Sequence, residues 1–179
     1  VILLSGKRGE GKSTFMSQLV VEALEQNNAV FIYSGELPDY HFKNWLDLQI
    51  AGKNHLLCSA NEYGDNQYYI SSETAKTIND WYRDKAYIFD NSAIQDEEFE
   101  GLLEIIKKAI CRYNIKFVCL DNLMTALDDD PISDVYRKQS KFIKDLARIA
   151  KQFDVVIILV AHPKKSKEEF TNDTVSGSA

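Results

Sequence analysis

No apolar run in the 179 residues approaches the roughly 20 that cross a bilayer, so no segment reads as a membrane span. Internal repeats and low-complexity linkers are absent, which leaves one domain, 1–179, long enough to bury a core. There is no excess of positive charge. The formal net charge is −6, which argues against a dedicated duplex-binding domain but not against a local basic strip. Cysteines are few. Cys58, Cys111 and Cys119 are odd in number and show no CxxC spacing, so they read as reduced thiols in a reducing compartment, with no zinc site. No charged segment of the secretory type precedes "VILLS". The abrupt start there and the end on "SGSA" read as a piece cut from a longer chain.

What the chain does have is a regular alternation of strand-like and helix-period segments. "VILLS" (1–5), "AVFIYS" (29–34), "AYIFD" (86–90), "KFVCLD" (116–121) and "VVIILVA" (155–161) read as strands. Met16, Leu19, Val20, Ala23 and Leu24 recur at helical spacing from Ser13 to Glu25, and a second helix runs from about Asp39 to Ala51, ended by Gly52. A third covers Phe99 to Tyr113, and a fourth runs from about Val135 to Phe153. Four of the five strands are continuous apolar runs rather than alternating ones, the pattern of a parallel sheet covered on both faces. The expected class is therefore α/β, a mostly parallel sheet with helices on both faces and right-handed crossovers. Residues 52–85, rich in Asn, Tyr and Ser, are the least regular and are expected to hold short helices at the sheet's edge.

"GKRGEGKS" (6–13) satisfies G-x-x-x-x-G-K-[ST] between a strand and a helix, the context a phosphate-binding loop requires. Gly6, Gly9 and Gly11 let the backbone curl so that its N–H groups converge, and the following helix adds its positive dipole end. The expected nucleotide-contacting set is Gly6, Lys7, Arg8, Gly9, Glu10, Gly11, Lys12, Ser13 and Thr14. In it Lys12 reaches the β- and γ-phosphates, and Ser13 places its hydroxyl on Mg²⁺. Such a site needs a second acid on the metal side. Asp121, ending "KFVCLD", is the better candidate, and Asp90, ending the shorter "AYIFD", is its rival. Glu36, in "FIYSGELPD" (31–39), follows a strand at the crevice edge. Two readings of it stay open on spacing alone: a carboxylate that activates water, or a solvated first-turn acid. His162, at the end of an apolar strand, is likewise either a hydrogen-bonding structural residue or a switch.

In this order the motifs resemble the ATPase domain of hexameric replicative DNA helicases, the RecA-like core of the DnaB-like family. The phage primase-helicases and the mitochondrial helicase Twinkle are the members it is most similar to. The phosphate loop is shared far more widely. The combination of "SGELP" (34–38), "LDNLMTAL" (120–127), "VAHPKK" (160–165) and "SGSA" (176–179) carries the resemblance. It implies a RecA-like P-loop NTPase core that binds ATP and Mg²⁺, with Glu36, Lys12 and His162 as catalytic residues. Asp121 joins Ser13 on the metal, and His162 senses the γ-phosphate from a strand beside the P-loop strand. The loops after Asp121 and His162 would face single-stranded DNA in the channel of a hexameric ring, with Lys164, Lys165 and Lys167 on its phosphates. The resemblance also implies a cytoplasmic, bacterial or phage-encoded protein. The family's arginine finger would lie beyond Ala179 with the last core strands, and the N-terminal segment that packs on the neighbouring subunit would precede Val1. One departure is "DDDP" (128–131), which puts three acids in the first DNA-facing loop.

Two further functions stay open. One is a RecA-like recombination or repair ATPase or a helicase loader. The other is a nucleotide-gated DNA-binding module with little turnover. Tyr63, Tyr68, Tyr69, Trp81 and Tyr82 read either as a base-stacking platform or, preferably, as packing of the irregular segment against the sheet.

Overall fold

The computed structural model describes residues 1–7, 9–35, 38–61, 63–90, 99–121 and 132–161. The chain runs β1 (Ile2–Ser5), α1 (Lys12–Glu25), β2 (Ala29–Ser34), α2 (Asp39–Ala51), a 3₁₀ turn (Lys53–His55), β3 (Leu57–Ala60) and β4 (Asn66–Tyr69). It continues through α3 (Ser72–Tyr82), β5 (Ala86–Ile88), α4 (Phe99–Tyr113), β6 (Ile115–Asp121), α5 (Ile132–Phe153) and β7 (Val156–Ala161). Five strands form one sheet in the order β1-β7-β6-β2-β5, and every pairing in it is parallel. The α/β class and the five sequence-derived strands hold, with β5 ending at Ile88 instead of Asp90. Among the described residues no helix is long and apolar enough to cross a membrane.

The unbroken apolar runs have the expected cause: each central strand feeds two cores. Phe31, Val118, Leu120, Ile157 and Leu159 point to one face, where α4 and α5 pack. Val30, Ile32, Cys119, Ile158 and Val160 alternate with them and point to the other, against α1, α2 and α3. Burial pushes the Cys119 thiol well up, with the nearby Asp121 carboxylate adding to it, so this cysteine is an inert core residue. Cys111, by contrast, is exposed.

Four helices feed their strands through the same device. Asn27, Asp84, Asn114 and Asp154 have φ of 62°, 61°, 52° and 52°, each one or two residues before a strand of the main sheet. Asn and Asp tolerate this left-handed conformation because their short polar side chains can bond locally. After α1 the stop is completed by Asn27 N–H to Leu24 O at 2.9 Å and Asn28 N–H to Ala23 O at 2.9 Å. The tight reversals send each strand back under its own helix.

The segment after Gly52 differs from expectation. Short helical pieces are there, but so is an antiparallel hairpin, β3–β4, separate from the main sheet. Its loop is organised by Asn61, whose side-chain oxygen accepts from Tyr63 N–H (2.9 Å) and Asp65 N–H (2.8 Å), while Gly64 takes φ 85°. All eight strand residues are exposed, so no burial pattern betrayed it in the sequence. The packing reading of the aromatics holds for Tyr82 alone: Tyr63 is 88% exposed, and Tyr68, Tyr69 and Trp81 are also exposed.

Tyr82 ties α3 to α2. Its hydroxyl lies 2.9 Å from Asp47 Oδ1 and 2.8 Å from Asn79 Oδ1, and its single hydrogen favours the charged acceptor. Lys43 Nζ donates to Asp47 Oδ2 at 2.6 Å, which satisfies the buried carboxylate from its other side. Burial raises the Tyr82 pKa, and Asp47 adds to the rise. For Lys43 burial acts downward, but the hydrogen bonds and charge of Asp47 and Tyr82 outweigh it, and the net shift is upward. Both groups hold their protons more tightly when folded. Their contribution is therefore complete below their unfolded pKa values and fades as pH rises through the folded ones. Tyr82→Phe should cost about 1–2 kcal/mol in urea unfolding at neutral pH. That gap should shrink above about pH 10, where the unfolded phenol ionises first. A gap that holds constant to about pH 11 would remove Asp47–Tyr82 from the stability of this layer.

Candidate nucleotide site

The site begins where β1 runs into the glycine-rich loop. Gly9 and Gly11 adopt φ of 85° and 78°, with open space where a Cβ would stand, so what these positions demand is conformational freedom. Gly11 caps α1 and brings no side chain to occupy the first-turn amides, which leaves them to a ligand. Phe15 N–H to Gly11 O, at 2.8 Å, is the first helical bond.

Lys12 is only 8% exposed. Its Nζ donates to Gly6 O at 2.7 Å and to Lys7 O at 2.8 Å, so the ammonium straps the loop's two ends together. An ammonium has three donors, and the third remains for a phosphate oxygen. Ser13 is partly buried and Thr14 exposed in the first turn. The Thr14 carbonyl accepts from Ser17 Oγ at 2.9 Å and from Gln49 Nε2 at 3.3 Å, which links α2 to this turn.

The parallel register aligns the other strand tips beside the loop. Ser5 pairs with Ala161, Val160 with Asp121, and Asp121 with Ser34. The ladder extends one step further, with Gly35 N–H donating to Asp121 O at 2.8 Å. Asp121 is 1% exposed. Strand periodicity puts it on the same face as Phe117 and Cys119, the face that α1 covers. Ser13 and Asp121 thus offer hard oxygen donors on one side of the sheet, a set that suits Mg²⁺ completed by phosphate oxygens and water. Strand order places the two candidate acids at different distances from the loop. β6 stands two strand spacings from β1, about 10 Å, whereas β5, which precedes Asp90, stands four away, about 19 Å.

Arg8, Glu36, His162, Lys164, Lys165, Lys167 and 176–179 lie outside the described residues. Their described neighbours locate the chain where it reaches two of them. Gly35, bonded to Asp121, precedes Glu36, and Ala161, opposite Ser5, precedes His162. The sequence reading overlooked Ser34, a fully buried serine paired with Asp121. A serine closing an apolar strand just before Gly35 was the available signal.

A phosphate loop between β1 and α1, on a parallel sheet with a buried acid at the tip of β6, defines a P-loop ATPase of RecA-like fold. Residues 1–168 match the family model described as AAA domain, and the chain belongs to that family of ATPases, which generally use ATP with Mg²⁺. Among curated proteins none matches the chain.

Gly11→Ala should cost about 1 kcal/mol of stability from the left-handed backbone alone. It should also weaken nucleotide binding several-fold, because the cap sets the first-turn amides. Thermal unfolding and titration with ADP check both. A variant with unchanged affinity would detach the Gly11 conformation from phosphate binding.

Proposed function

We propose that this domain is the ATPase motor of a ring-forming replicative DNA helicase, turning ATP hydrolysis into movement along single-stranded DNA. One observation carries the reading. The three segments of the helicase resemblance, "SGELP", "LDNLMTAL" and "VAHPKK", span the ends of β2, β6 and β7, which the sheet order makes consecutive neighbours beside the P-loop strand. The described starts of these motifs, Ser34–Gly35, Leu120–Asp121 and Val160–Ala161, are thereby aligned at one edge of the sheet, although 132 residues separate Ser34 from Lys165 inclusive.

In this reading Lys12 and the loop amides hold the phosphates of ATP, and Ser13 and Asp121 hold Mg²⁺. The metal supplies charge neutralisation on the phosphate oxygens. Glu36 orients the attacking water and takes its proton. His162 registers the γ-phosphate. It is two residues from Lys164, so the phosphate-dependent step and the grip on DNA by Lys164, Lys165 and Lys167 share a short covalent route. In the ring, a neighbouring subunit completes each site with an arginine.

Asp128, Asp129 and Asp130 weigh against DNA contact by the segment after Asp121, because acids there repel a nucleic-acid backbone. The second reading is a nucleotide-gated binding module with little turnover. Glu36→Gln separates the two. For a motor it should lower turnover on the order of 10²-fold and spare ATP affinity; for a binding module it changes little. His162→Ala should keep ATP binding and lose the stimulation of hydrolysis by single-stranded DNA. A full-length protein that hydrolyses ATP without responding to single-stranded DNA and forms no hexamer in solution would end the helicase reading.

A further inference from the structure

Glu10 occupies one of the variable positions of the phosphate-binding loop, where the motif asks for no particular side chain. Here that side chain is engaged. Its Oε2 accepts the Lys7 N–H at 2.6 Å, while the Glu10 N–H donates back to Lys7 O at 3.3 Å. The two bonds pair Lys7 with Glu10 reciprocally, similar in logic to a capping box. Lys7 O also accepts from Lys12 Nζ at 2.8 Å, so both polar groups of the Lys7 backbone are fixed from within the loop. The carboxylate lies over Gly6 as well. A Cβ built there would come 2.8 Å from Glu10 Oε2 and 3.5 Å from Lys12 Cδ.

We propose that Glu10 is a positioning residue of the nucleotide site, whose carboxylate, tied to Lys7 N–H and seated over Gly6, holds the loop in the shape that receives the phosphates. Without the tie, Lys7 N–H turns to water, the pairing of Lys7 with Glu10 opens, and Lys12 loses one of the two fixed carbonyls that aim it. The glycine at position 6 acquires a specific reason: it makes room for this carboxylate. A methyl group there would push the flexible end of Glu10 aside and break the same tie. The inference deepens the nucleotide-binding reading and rests on it, but not on helicase activity.

The test compares wild type with Glu10→Ala and Glu10→Gln. Gln keeps an acceptor for Lys7 N–H and removes the charge. ADP binding with Mg²⁺, followed by titration calorimetry, should weaken about tenfold in Glu10→Ala and stay within about threefold of wild type in Glu10→Gln. Melting temperatures should be alike, since Glu10 is exposed. In the nucleotide-free chain the Lys7 amide should exchange its proton on the order of tenfold faster in Glu10→Ala than in the other two. In a Gly6→Ala background the Ala substitution at 10 should add little, because the tie is already broken. Equal affinity in all three chains overturns the proposal, as does a Gln variant that falls as far as Ala. A wild-type chain that binds no ADP overturns the nucleotide reading and the positioning role with it. That failure is told apart because the difference in exchange at Lys7 persists.

Discussion

Parallel pairing of β1 with β7 is the constraint on which the site depends. Strands that run the same way end at the same edge, so every loop leaving a strand tip opens into one crevice. Ser5 opposite Ala161 sets the phosphate loop next to the strand that leads to His162, and the register through Val160 and Ser34 carries the alignment to Asp121 and to the approach of Glu36. A slip of one residue along β6 would turn Asp121 away from α1 and bring a core side chain to the metal side.

The two cores hold that register. Because successive residues of β2, β6 and β7 feed opposite faces, a slip in any of these strands would send side chains into the wrong core and mispack both sides at once. Function is therefore kept at strand ends and in loops, where side chains are not claimed by packing. The phosphate loop follows the same economy. Its lysine is anchored on the loop's own carbonyls, and its glutamate on the loop's own amide, so the ties that shape the cradle come from within the loop.

The hairpin β3–β4 shows the limit of pattern reading. The main strands were legible because burial on two faces leaves an unbroken apolar run. The hairpin buries neither face, so its residues carry no such trace, and only the Asn61–Asp65 turn chemistry could have revealed it. The tyrosines there were misread for a related reason. Aromatic content says nothing about exposure, and only Tyr82 finds a buried partner, Asp47, on another helix. The four Asn or Asp turns before β2, β5, β6 and β7 were in the sequence throughout, and their common role emerged from the backbone angles.

By itself the sequence determined what is local: the phosphate loop, the helix periods, the apolar strands and the covalent closeness of His162 to Lys164. Residue spacing fixes these, because they depend on neighbours a few positions apart. Tertiary structure decided what depends on strand order, which chain order does not encode, since a crossover can place the next strand on either side. It set Asp121 two strands from the phosphate loop and left Asp90 after β5, the strand at the far edge. It buried Ser34 beside that acid, and it folded Glu10 back onto Lys7, turning a variable loop position into part of the cradle.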